Sequence, residues 1–377
     1  MAKKISKKEK YSPIPMVDLA LQYKTLKPRL HKAIEEVLKS TRFILGPEVS
    51  TLESRLAEYC ETRYGIACGS GTDALQMALM AIGVGPGDEI ITTPFTFIAT
   101  AEVIALLGAT PVFVDIEPDT YCIDPQKIEK AISKKTKAII PVHLYGQAAD
   151  MDSILEISKK RHISVIEDAC QAIGATYKGK KVCGLGDMGC VSFFPSKNLG
   201  GYGDGGMIFT SDEKLFQILR MIRDHGSVQK YHHARLGMNS RLDTLQAAIL
   251  LVKFQYLDSW NKARRKIAEM YTALLKNAKV KTPVIREGNE HVFHQYTIQV
   301  KDRDGLRKHL ESYGISTAVH YPIPLHLQPA FQFLKCKPGQ FPIAEEVASH
   351  VVSLPMYPEL KPHQVRFIAE KIIEFTG

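Results

Sequence analysis

The chain of 377 residues is 45% hydrophobic and 24% charged, the composition of an ordinary soluble globular protein with room for two domains. Its seven cysteines are scattered and include no CxxC pair, which argues against a zinc or redox site and favours a reduced, cytoplasmic protein. The sequence has no run of about 18 apolar residues and no apolar signal-peptide core near its N-terminus, so we expect neither membrane insertion nor secretion.

Of the formal net charge of +9, the first ten residues contribute +4, because they contain five lysines and one glutamate. We predict that residues 1–12 form a basic, solvated and disordered tail rather than an arm for nucleic acid or an anionic surface. The modest positive excess over the rest of the chain suits an anionic substrate.

Two helices are predicted between Val17 and Cys60, where apolar residues recur at helical spacing and Gly46-Pro47 interrupts the pattern. Short apolar runs then alternate with helical stretches, which predicts a doubly wound α/β domain whose ligands gather at the carboxyl ends of its strands. The expected parallel strands are Ile66–Cys68, Glu89–Thr92, Thr110–Val114, Ala138–Val142, Ser164–Ile166, Cys190–Phe193 and Met207–Phe209. The helices expected between them are Ala74–Ile82, Thr100–Leu107, Pro125–Ile132 and Met151–Arg161.

The C-terminal part is predicted to form a smaller α/β domain, reached through one long helix from Leu242 to Leu275 that contains Trp260. A strand, a helix, a proline-rich loop and a last helix are expected there: Gln295–Val300, Gly305–Tyr313, Tyr321–Pro329 and a helix beginning at Pro362. We therefore divide the chain into the tail, a large domain of residues 13–255 and a small domain of residues 256–377.

The first candidate functional segment is Cys68–Ala74, a glycine-rich turn between a predicted strand and an amphipathic helix. Backbone N–H groups at a helix N-terminus can approach an anion, and the hydroxyl of Thr72 adds a donor. The segment matches neither the phosphate-loop pattern nor the complete dinucleotide pattern. Taken alone, it is explained equally well by helix capping.

Two further candidates follow buried strands: Asp168 and Lys197, the latter within the glycine-rich segment Val191–Gly206. A strand-terminal carboxylate can cap a helix, bind a metal or act as a base, and it can also hold a protonated pyridine nitrogen. A lysine in a tight turn can lose its proton and condense with an aldehyde, although a surface lysine in a hairpin is the alternative. An anion cup, a carboxylate and a lysine, in this order, are the groups that would clamp pyridoxal phosphate.

From about Tyr11 to its C-terminus, the chain resembles the DegT/DnrJ/EryC1/StrS family of sugar aminotransferases. The resemblance is carried by the segments Gly-Ser-Gly-Thr-Asp-Ala (69–74), Pro-Phe-Thr-Phe (94–97), Glu-Asp-Ala (167–169), Ser-Phe-Phe-Pro-Ser-Lys (192–197), Gly-Asp-Gly-Gly (203–206), Asn-Ser-Arg-Leu-Asp (239–243) and His-Tyr-Pro (320–322). It implies the fold-type I architecture of aspartate aminotransferase, the cofactor pyridoxal 5′-phosphate and a homodimer with shared active sites.

The resemblance also implies a role for individual residues. Lys197 would bond the cofactor, Asp168 would face the pyridine nitrogen and Gln171 would lie near the ring hydroxyl. Phe97 stands where many relatives have Tyr or Trp, and it keeps the aromatic face that stacks on the ring. The residues implied for the phosphate are the Gly71 and Thr72 turn, Ser192, and Asn239 reaching over from the second subunit.

Three residues are candidates for binding the anionic substrate: Arg241, His320 and Tyr321. Arg241 offers a bidentate fork to a carboxylate or phosphate, but an ion pair with Asp243 or another acid is its alternative. Packing alone is the alternative for His320 and Tyr321, which precede Pro322.

Among subfamilies, the likeness is greatest to the UDP-2-acetamido-2-deoxy-3-oxo-glucuronate aminotransferases of bacterial surface-polysaccharide and lipopolysaccharide pathways. The expected reaction is transfer of an amino group from L-glutamate to C3 of a UDP-linked keto sugar. The same sugar without its carboxylate and thymidine-linked 3-keto-6-deoxy sugars are alternative acceptors. A dehydratase using the same cofactor or a non-catalytic regulator is the alternative of another class. The resemblance speaks against the dehydratases that carry histidine at the lysine position, because this chain has Lys197 there.

Overall fold

A computed structural model describes residues 13–377 of the chain, and the predicted tail of residues 1–12 lies outside them. The α-helices are α1 (Leu19–Ser40), α2 (Pro47–Tyr59), α3 (Gly71–Ala81), α4 (Ala99–Leu106), α5 (Pro125–Ala131), α6 (Met151–Arg161), α7 (Glu213–Arg223), α8 (Thr244–Phe254), α9 (Leu257–Leu274), α10 (Arg303–Ser312), α11 (Pro342–His350) and α12 (Pro362–Thr376). The β-strands are β1 (Tyr64–Cys68), β2 (Glu89–Thr92), β3 (Thr110–Phe113), β4 (Thr136–Ile139), β5 (Ser164–Asp168), β6 (Thr176–Tyr177), β7 (Lys180–Lys181), β8 (Met188–Ser192), β9 (Gly206–Thr210), β10 (Ser227–Gln229), β11 (His232–His233), β12 (Asn289–Glu290), β13 (Tyr296–Gln299) and β14 (Val351–Leu354).

The predicted break between the first two helices is confirmed. Helix α1 begins where the carboxylate of Asp18 accepts the N–H of Leu21 at 2.9 Å. Helix α2 begins with Pro47, whose fixed φ suits the first helical position. The N–H of Gly46, just before it, donates to Thr244 Oγ1 at 3.0 Å. This bond ties the start of α2 to the start of α8.

A seven-stranded sheet in the order β1-β9-β8-β5-β4-β2-β3 forms the centre of the molecule. Its strands from β8 to β3 run parallel, whereas β9 is antiparallel to both β1 and β8. The prediction of a parallel strand at Met207–Phe209 was therefore wrong. The loop between β8 and β9 contains no crossover helix, so the chain returns beside the strand that it has just left. The mainly parallel α/β architecture itself is confirmed.

Helices cover both faces of this sheet. One buried apolar cluster packs α2, α5, α6 and α8 on one face, and another packs α3, α4 and α7 on the opposite face. The alternation of short apolar runs and helical stretches in the sequence thus correctly predicted a doubly wound domain. Helix α7 was not predicted, although Asp212 supplies a recognisable cap by accepting the N–H groups of Lys214 and Leu215.

A third apolar cluster joins α9, α10 and α12 to the antiparallel pair β13 and β14, together with Ile14 from the start of the described chain. The predicted helix from Leu242 to Leu275 is divided in the structure, because α8 ends at Phe254 and α9 begins at Leu257. Strand β14 and helix α11 were not predicted. The domain boundaries at residues 13, 255 and 256 stay a prediction.

The strand directions locate the candidate site. Strands β1, β2, β4, β5 and β8 run the same way, so their carboxyl ends lie at one edge of the sheet. Ligands of such sheets bind outside that edge. Within residues 13–377, none of the helices combines the length and the apolar character needed to cross a membrane.

Candidate active site

A cavity of about 460 Å³ opens at this edge of the sheet. It is lined by residues that follow five different strands and by residues from the small C-terminal part. Nine of the eleven site residues predicted from the sequence line it: Gly71, Thr72, Phe97, Asp168, Gln171, Ser192, Lys197, His320 and Tyr321. Two lie elsewhere, namely Asn239 and Arg241.

The glycine-rich turn forms one end of the cavity and leads into α3. Ser70 caps this helix by accepting the N–H of Asp73 at 3.0 Å. A Cβ at Gly71 would lie 2.7 Å from the Cβ of Ser192, so only glycine lets the helix start approach the end of β8 this closely. The free N–H groups at the helix N-terminus and the hydroxyls of Thr72 and Ser192 together provide an anion site.

Asp168 ends β5 and is only 5% exposed. Thr100 Oγ1 donates to its Oδ2 at 2.7 Å, and the N–H of Cys170 donates to its Oδ1 at 3.2 Å. Both donors are neutral, so they hold the carboxylate in place without cancelling a negative charge on it. The carboxylate can therefore act as a fixed anion for a protonated nitrogen.

Lys197 lies in the loop between β8 and β9, where its N–H donates to the carbonyl of Phe194 at 2.8 Å. A Cβ at Gly200 would lie 2.3 Å from the carbonyl oxygen of Pro195, so this tight turn depends on glycine. Burial lowers the pKa of Lys197 below its ordinary value, and the nearby Cys170 and Asp168 oppose that shift. The neutral, nucleophilic amine is consequently easier to form.

Gln171 links the floor of the cavity to the C-terminal part. Its side-chain nitrogen donates to the hydroxyl of Tyr321 at 3.0 Å, and its side-chain oxygen accepts the N–H of Tyr145 at 2.8 Å. His320 shares a hydrogen bond of 2.9 Å with Ser353 Oγ on β14. Burial, with the positive charge of Lys197 as a smaller cause, lowers the pKa of His320 to about 4. His320 is therefore neutral and can serve an anionic ligand only as a hydrogen-bond partner.

His294, which was not predicted from the sequence, also lines the cavity and is 7% exposed. Its Nε2 lies 3.4 Å from the side-chain nitrogen of Gln295, and its buried Nδ1 has no hydrogen-bond partner among residues 13–377. Burial is the largest cause of a pKa well below the ordinary value for His294. A buried nitrogen without a partner in a cavity is suited to bond a ligand. In the sequence, the feature that could have indicated His294 is its position directly before the predicted strand Gln295–Val300.

Asn239 and Arg241 flank Ser240, and only Ser240 points toward the glycine-rich turn. The hydroxyl of Ser240 accepts the N–H of Gly69 at 3.0 Å and donates to the carboxylate of Asp73 at 2.6 Å. Arg241 forms an ion pair with Asp224 at 2.8 Å. The alternative considered for Arg241, an ion pair with an acid, is therefore present, but its partner is Asp224 and not Asp243. Asn239 is exposed. Neither side chain lines the cavity formed by the described residues of its own chain.

The cavity residues fit pyridoxal phosphate. An anion site, a fixed carboxylate and an amine with a lowered pKa surround one space, and Phe97 presents a ring that is 52% exposed beside them. The ring of Phe97 lies 6.2 Å from that of Tyr321, which leaves an aromatic wall for a flat ligand. Among residues 13–377, no group of three or more His, Cys, Asp or Glu side chains is placed to hold a metal ion.

Comparison with known proteins agrees with the family resemblance carried by the sequence motifs. A model of the DegT/DnrJ/EryC1/StrS aminotransferase family matches residues 24–373. A pleiotropic regulatory protein of Geobacillus stearothermophilus is 56% identical, over 96% of this chain and 98% of its own length. The UDP-2-acetamido-2-deoxy-3-oxo-D-glucuronate aminotransferase of Pseudomonas aeruginosa is 50% identical, over 94% of this chain and 98% of its own length.

Solved structures share the fold over nearly the whole chain. DesV of S. venezuelae, in complex with a ketimine intermediate, superposes with a TM-score of 0.95 at 42% identity, covering 97% of this chain and 98% of that one. NtdA of Bacillus subtilis, crystallised with the bound cofactor PMP, superposes with a TM-score of 0.87 at 33% identity, covering 99% and 90%. The fold class expected from the sequence is confirmed.

Proposed function

This chain belongs to the DegT/DnrJ/EryC1/StrS aminotransferase family and depends on pyridoxal phosphate, and from that premise we propose that it transfers the amino group of L-glutamate to C3 of a UDP-linked 3-keto sugar. The sugar that we favour is UDP-2-acetamido-2-deoxy-3-oxo-glucuronate, because the relative named for that sugar is 50% identical. The observation that carries the proposal is the meeting of Lys197 and Asp168 in one cavity.

The position of each side chain supports a separate role in binding the cofactor. Thr72, Ser192 and the helix start at Gly71 supply the donors for a phosphate. Asp168, held by two neutral donors, accepts a hydrogen bond from a protonated ring nitrogen. Phe97 covers the ring face. Gln171, whose nitrogen already bonds the hydroxyl of Tyr321, lies where a ring hydroxyl can join the same network.

Lys197 anchors the cofactor and moves the proton. When bound, pyridoxal phosphate supplies an aldehyde for amines and a ring that accepts electrons from a breaking C–H bond. The Nζ atom of Lys197 takes the proton from Cα of glutamate, and it delivers a proton at C3 of the sugar in the return half of the reaction. Because burial lowers the pKa of Lys197, more of this amine is in the neutral form that can accept a proton.

We propose that the substrate's anionic groups are bound between two subunits of a homodimer. Among the described residues that line the cavity, Lys197 is the only lysine or arginine, and it is reserved for the cofactor. A diphosphate therefore needs cations from outside the chain's own cavity. Asn239 and Arg241 flank Ser240 outside that cavity, and the segment paired with Asp243 and Thr244 exposes Phe43 and Ile44. An interface there would bring both polar side chains to the partner's site.

The experiment is to offer the purified enzyme, converted to its aminated form with glutamate, a panel of nucleotide-linked keto sugars. The panel contains UDP-linked 3-keto sugars with and without the C6 carboxylate, thymidine-linked 3-keto-6-deoxy sugars and a UDP-linked 4-keto sugar. We expect the UDP-linked 3-keto uronate to be aminated with the largest kcat/KM. Amination of the 4-keto sugar alone would contradict the proposed position of transfer.

A regulatory role is the second candidate, because a relative that is 56% identical is named a pleiotropic regulatory protein. An aminotransferase and a vestigial regulator differ in whether Lys197 forms a covalent link with the cofactor. Visible absorbance of that link, which glutamate removes by transamination, is expected of the enzyme. A chain that binds the cofactor but lacks the visible absorbance of the lysine link would favour the regulatory role.

We further propose that the enzyme acts in the cytoplasm on the route to a bacterial surface polysaccharide or lipopolysaccharide. The support is the likeness to a relative named for a UDP-linked 3-oxo-glucuronate and the anionic, water-soluble nature of nucleotide sugars. Fractionation of the source cells, with the amino sugar measured in wild type and deletion strains, tests both statements. Loss of the gene without loss of the amino sugar would contradict the proposed pathway, and recovery of the protein outside the cytoplasmic fraction would contradict the proposed location.

A further inference from the structure

Glu167 precedes Asp168 on β5 but points to the opposite side of the sheet, as successive residues of a strand do. It is fully buried. Its Oε1 accepts the N–H groups of Leu185 and Gly186 at 2.8 and 2.9 Å, and its Oε2 accepts the N–H of Cys183 at 2.8 Å. One carboxylate thus holds three backbone donors of the segment that leads into β8.

The fourth donor is His143, which is also fully buried and lies 2.9 Å from Glu167 Oε2 through its Nε2. The other ring nitrogen, Nδ1, accepts the N–H of Ala149 at 3.2 Å. Because Nδ1 accepts, the proton of a neutral ring is on Nε2, and this nitrogen donates to Glu167. The two side chains therefore join the turn after β4, the end of β5 and the segment before β8.

The backbone of Asp168 is held by the same network. Its N–H donates to the carbonyl of Pro141 at 2.9 Å, and its carbonyl accepts the N–H of His143 at 3.0 Å. The His143 residue consequently contacts Asp168 through its main chain and Glu167 through its ring. A shift of this ring or of Glu167 would move the strand end that carries the cavity's carboxylate.

We propose that Glu167 and His143 are positioning residues, which fix the Asp168 carboxylate toward the ring nitrogen of the cofactor from the far side of the sheet. Neither side chain lines the cavity. The network satisfies the buried carboxylate with four donors, so it is stiff, and every replacement that alters the donor and acceptor pattern leaves a buried group unpaired. The inference rests on the cofactor and holds for any of the candidate sugars.

The test compares four variants of the full chain. Glu167→Gln places an amide NH₂ among donors, and His143→Leu removes both ring contacts. His143→Gln retains one donor and one acceptor. Asp115→Asn is the matched control, because Asp115 is another buried carboxylate that accepts backbone N–H groups, those of Ile343 and Ala344 at 3.1 and 3.0 Å, outside the cavity.

Three quantities are measured: the dissociation constant of pyridoxal phosphate for the cofactor-free chain, the pH midpoint of the bound cofactor's visible absorbance, and the thermal midpoint. Glu167→Gln and His143→Leu are expected to weaken cofactor binding about tenfold, as the loss of one hydrogen bond to a charge does. They should also shift the pH midpoint by about one unit. His143→Gln should restore most of the cofactor affinity and most of the wild-type pH midpoint. Asp115→Asn should lower only the thermal midpoint.

Wild-type values for both Glu167→Gln and His143→Leu would overturn the inference, and so would an equal spectral shift in Asp115→Asn, which would show general loosening. If Glu167→Gln does not fold, the two substitutions of His143 still test the inference. Equal losses of cofactor affinity and equal shifts of the pH midpoint in His143→Leu and His143→Gln would contradict positioning by hydrogen bonds. Cofactor binding by the unaltered chain separates this result from the proposed function. A chain that binds no cofactor would overturn both.

Discussion

Thr100 Oγ1 on α4 donates a hydrogen bond of 2.7 Å to Oδ2 of Asp168 at the end of β5. The bond connects two elements that are far apart in sequence and fixes one oxygen of the carboxylate. Since the donor is a neutral hydroxyl, the full negative charge stays available to a ligand. The other oxygen accepts the N–H of Cys170 at 3.2 Å.

Thr100→Val, which keeps the shape and removes the hydroxyl, should therefore weaken pyridoxal phosphate binding by about tenfold. Titration of the cofactor-free chain by absorbance measures this. Thr92→Val is the control, because Thr92 Oγ1 is equally buried but donates to the carbonyl of Ile140 at 2.9 Å. An equal loss of affinity in both variants would mean that Asp168 is not the point at which the hydroxyl acts.

Borohydride reduction should attach the cofactor covalently to Lys197 and to no other lysine of the chain. Peptide mapping by mass spectrometry identifies the modified residue. Lys253 is a stringent internal control, since it is buried and burial lowers its pKa to about 8, yet it does not line the cavity. Lys197→Ala should reduce turnover by at least roughly a thousandfold and still dock the cofactor. A label on Lys253 would contradict the assignment.

Lys197 should also reduce the stability of the cofactor-free chain at neutral pH. Burial lowers its folded-state pKa below the ordinary 10.5, so the folded chain binds fewer protons than the unfolded one. The penalty for burying the charged amine is absent above pH 10.5, and it grows as the pH falls toward the lowered pKa. Lys197→Met should consequently raise the thermal midpoint near neutral pH, and the gain should shrink as the pH rises toward 10.5.

Thermal unfolding of the two cofactor-free proteins across that pH range measures the effect. Lys262→Met is the matched control, because Lys262 is exposed on α9. It should show no gain that varies with pH. A gain for Lys197→Met that is the same at every pH would attribute the effect to the methionine side chain instead of to the buried charge.

The local parts of the site were readable from the sequence, and the tertiary parts were not. The turn at Gly71 and the carboxylate of Asp168 each follow a short apolar strand, and parallel strand ends meet at one edge. Nothing local shows that the Arg241 side chain meets Asp224, because that contact depends on how separate loops pack. The reversed direction of β9 depended on the absence of a crossover helix, which a short apolar run does not reveal.

His294 was missed for the same reason, since burial rather than residue type marks it. His294→Phe should stabilise the cofactor-free chain by about 1 kcal/mol or more, because a buried nitrogen without a partner is removed. It should also raise KM for glutamate or for the sugar. Thermal melts and steady-state kinetics measure the two effects. A destabilised variant with unchanged KM would show that His294 only packs.

The shared-site arrangement predicts that two inactive variants restore each other. A dimer of Lys197→Ala and Arg241→Ala subunits contains one site with both native residues, if Arg241 serves the cavity of the partner. When equal amounts of the two variants reassociate at random, half of the dimers are heterodimers. Each heterodimer has one intact site out of two, so about a quarter of the wild-type activity should return. The control pairs Lys197→Ala with Asp168→Ala, whose residues line the same chain's cavity, and it should remain inactive because every site lacks one of the two groups. Activity in the control, or none in the first mixture, would contradict a site shared across the interface.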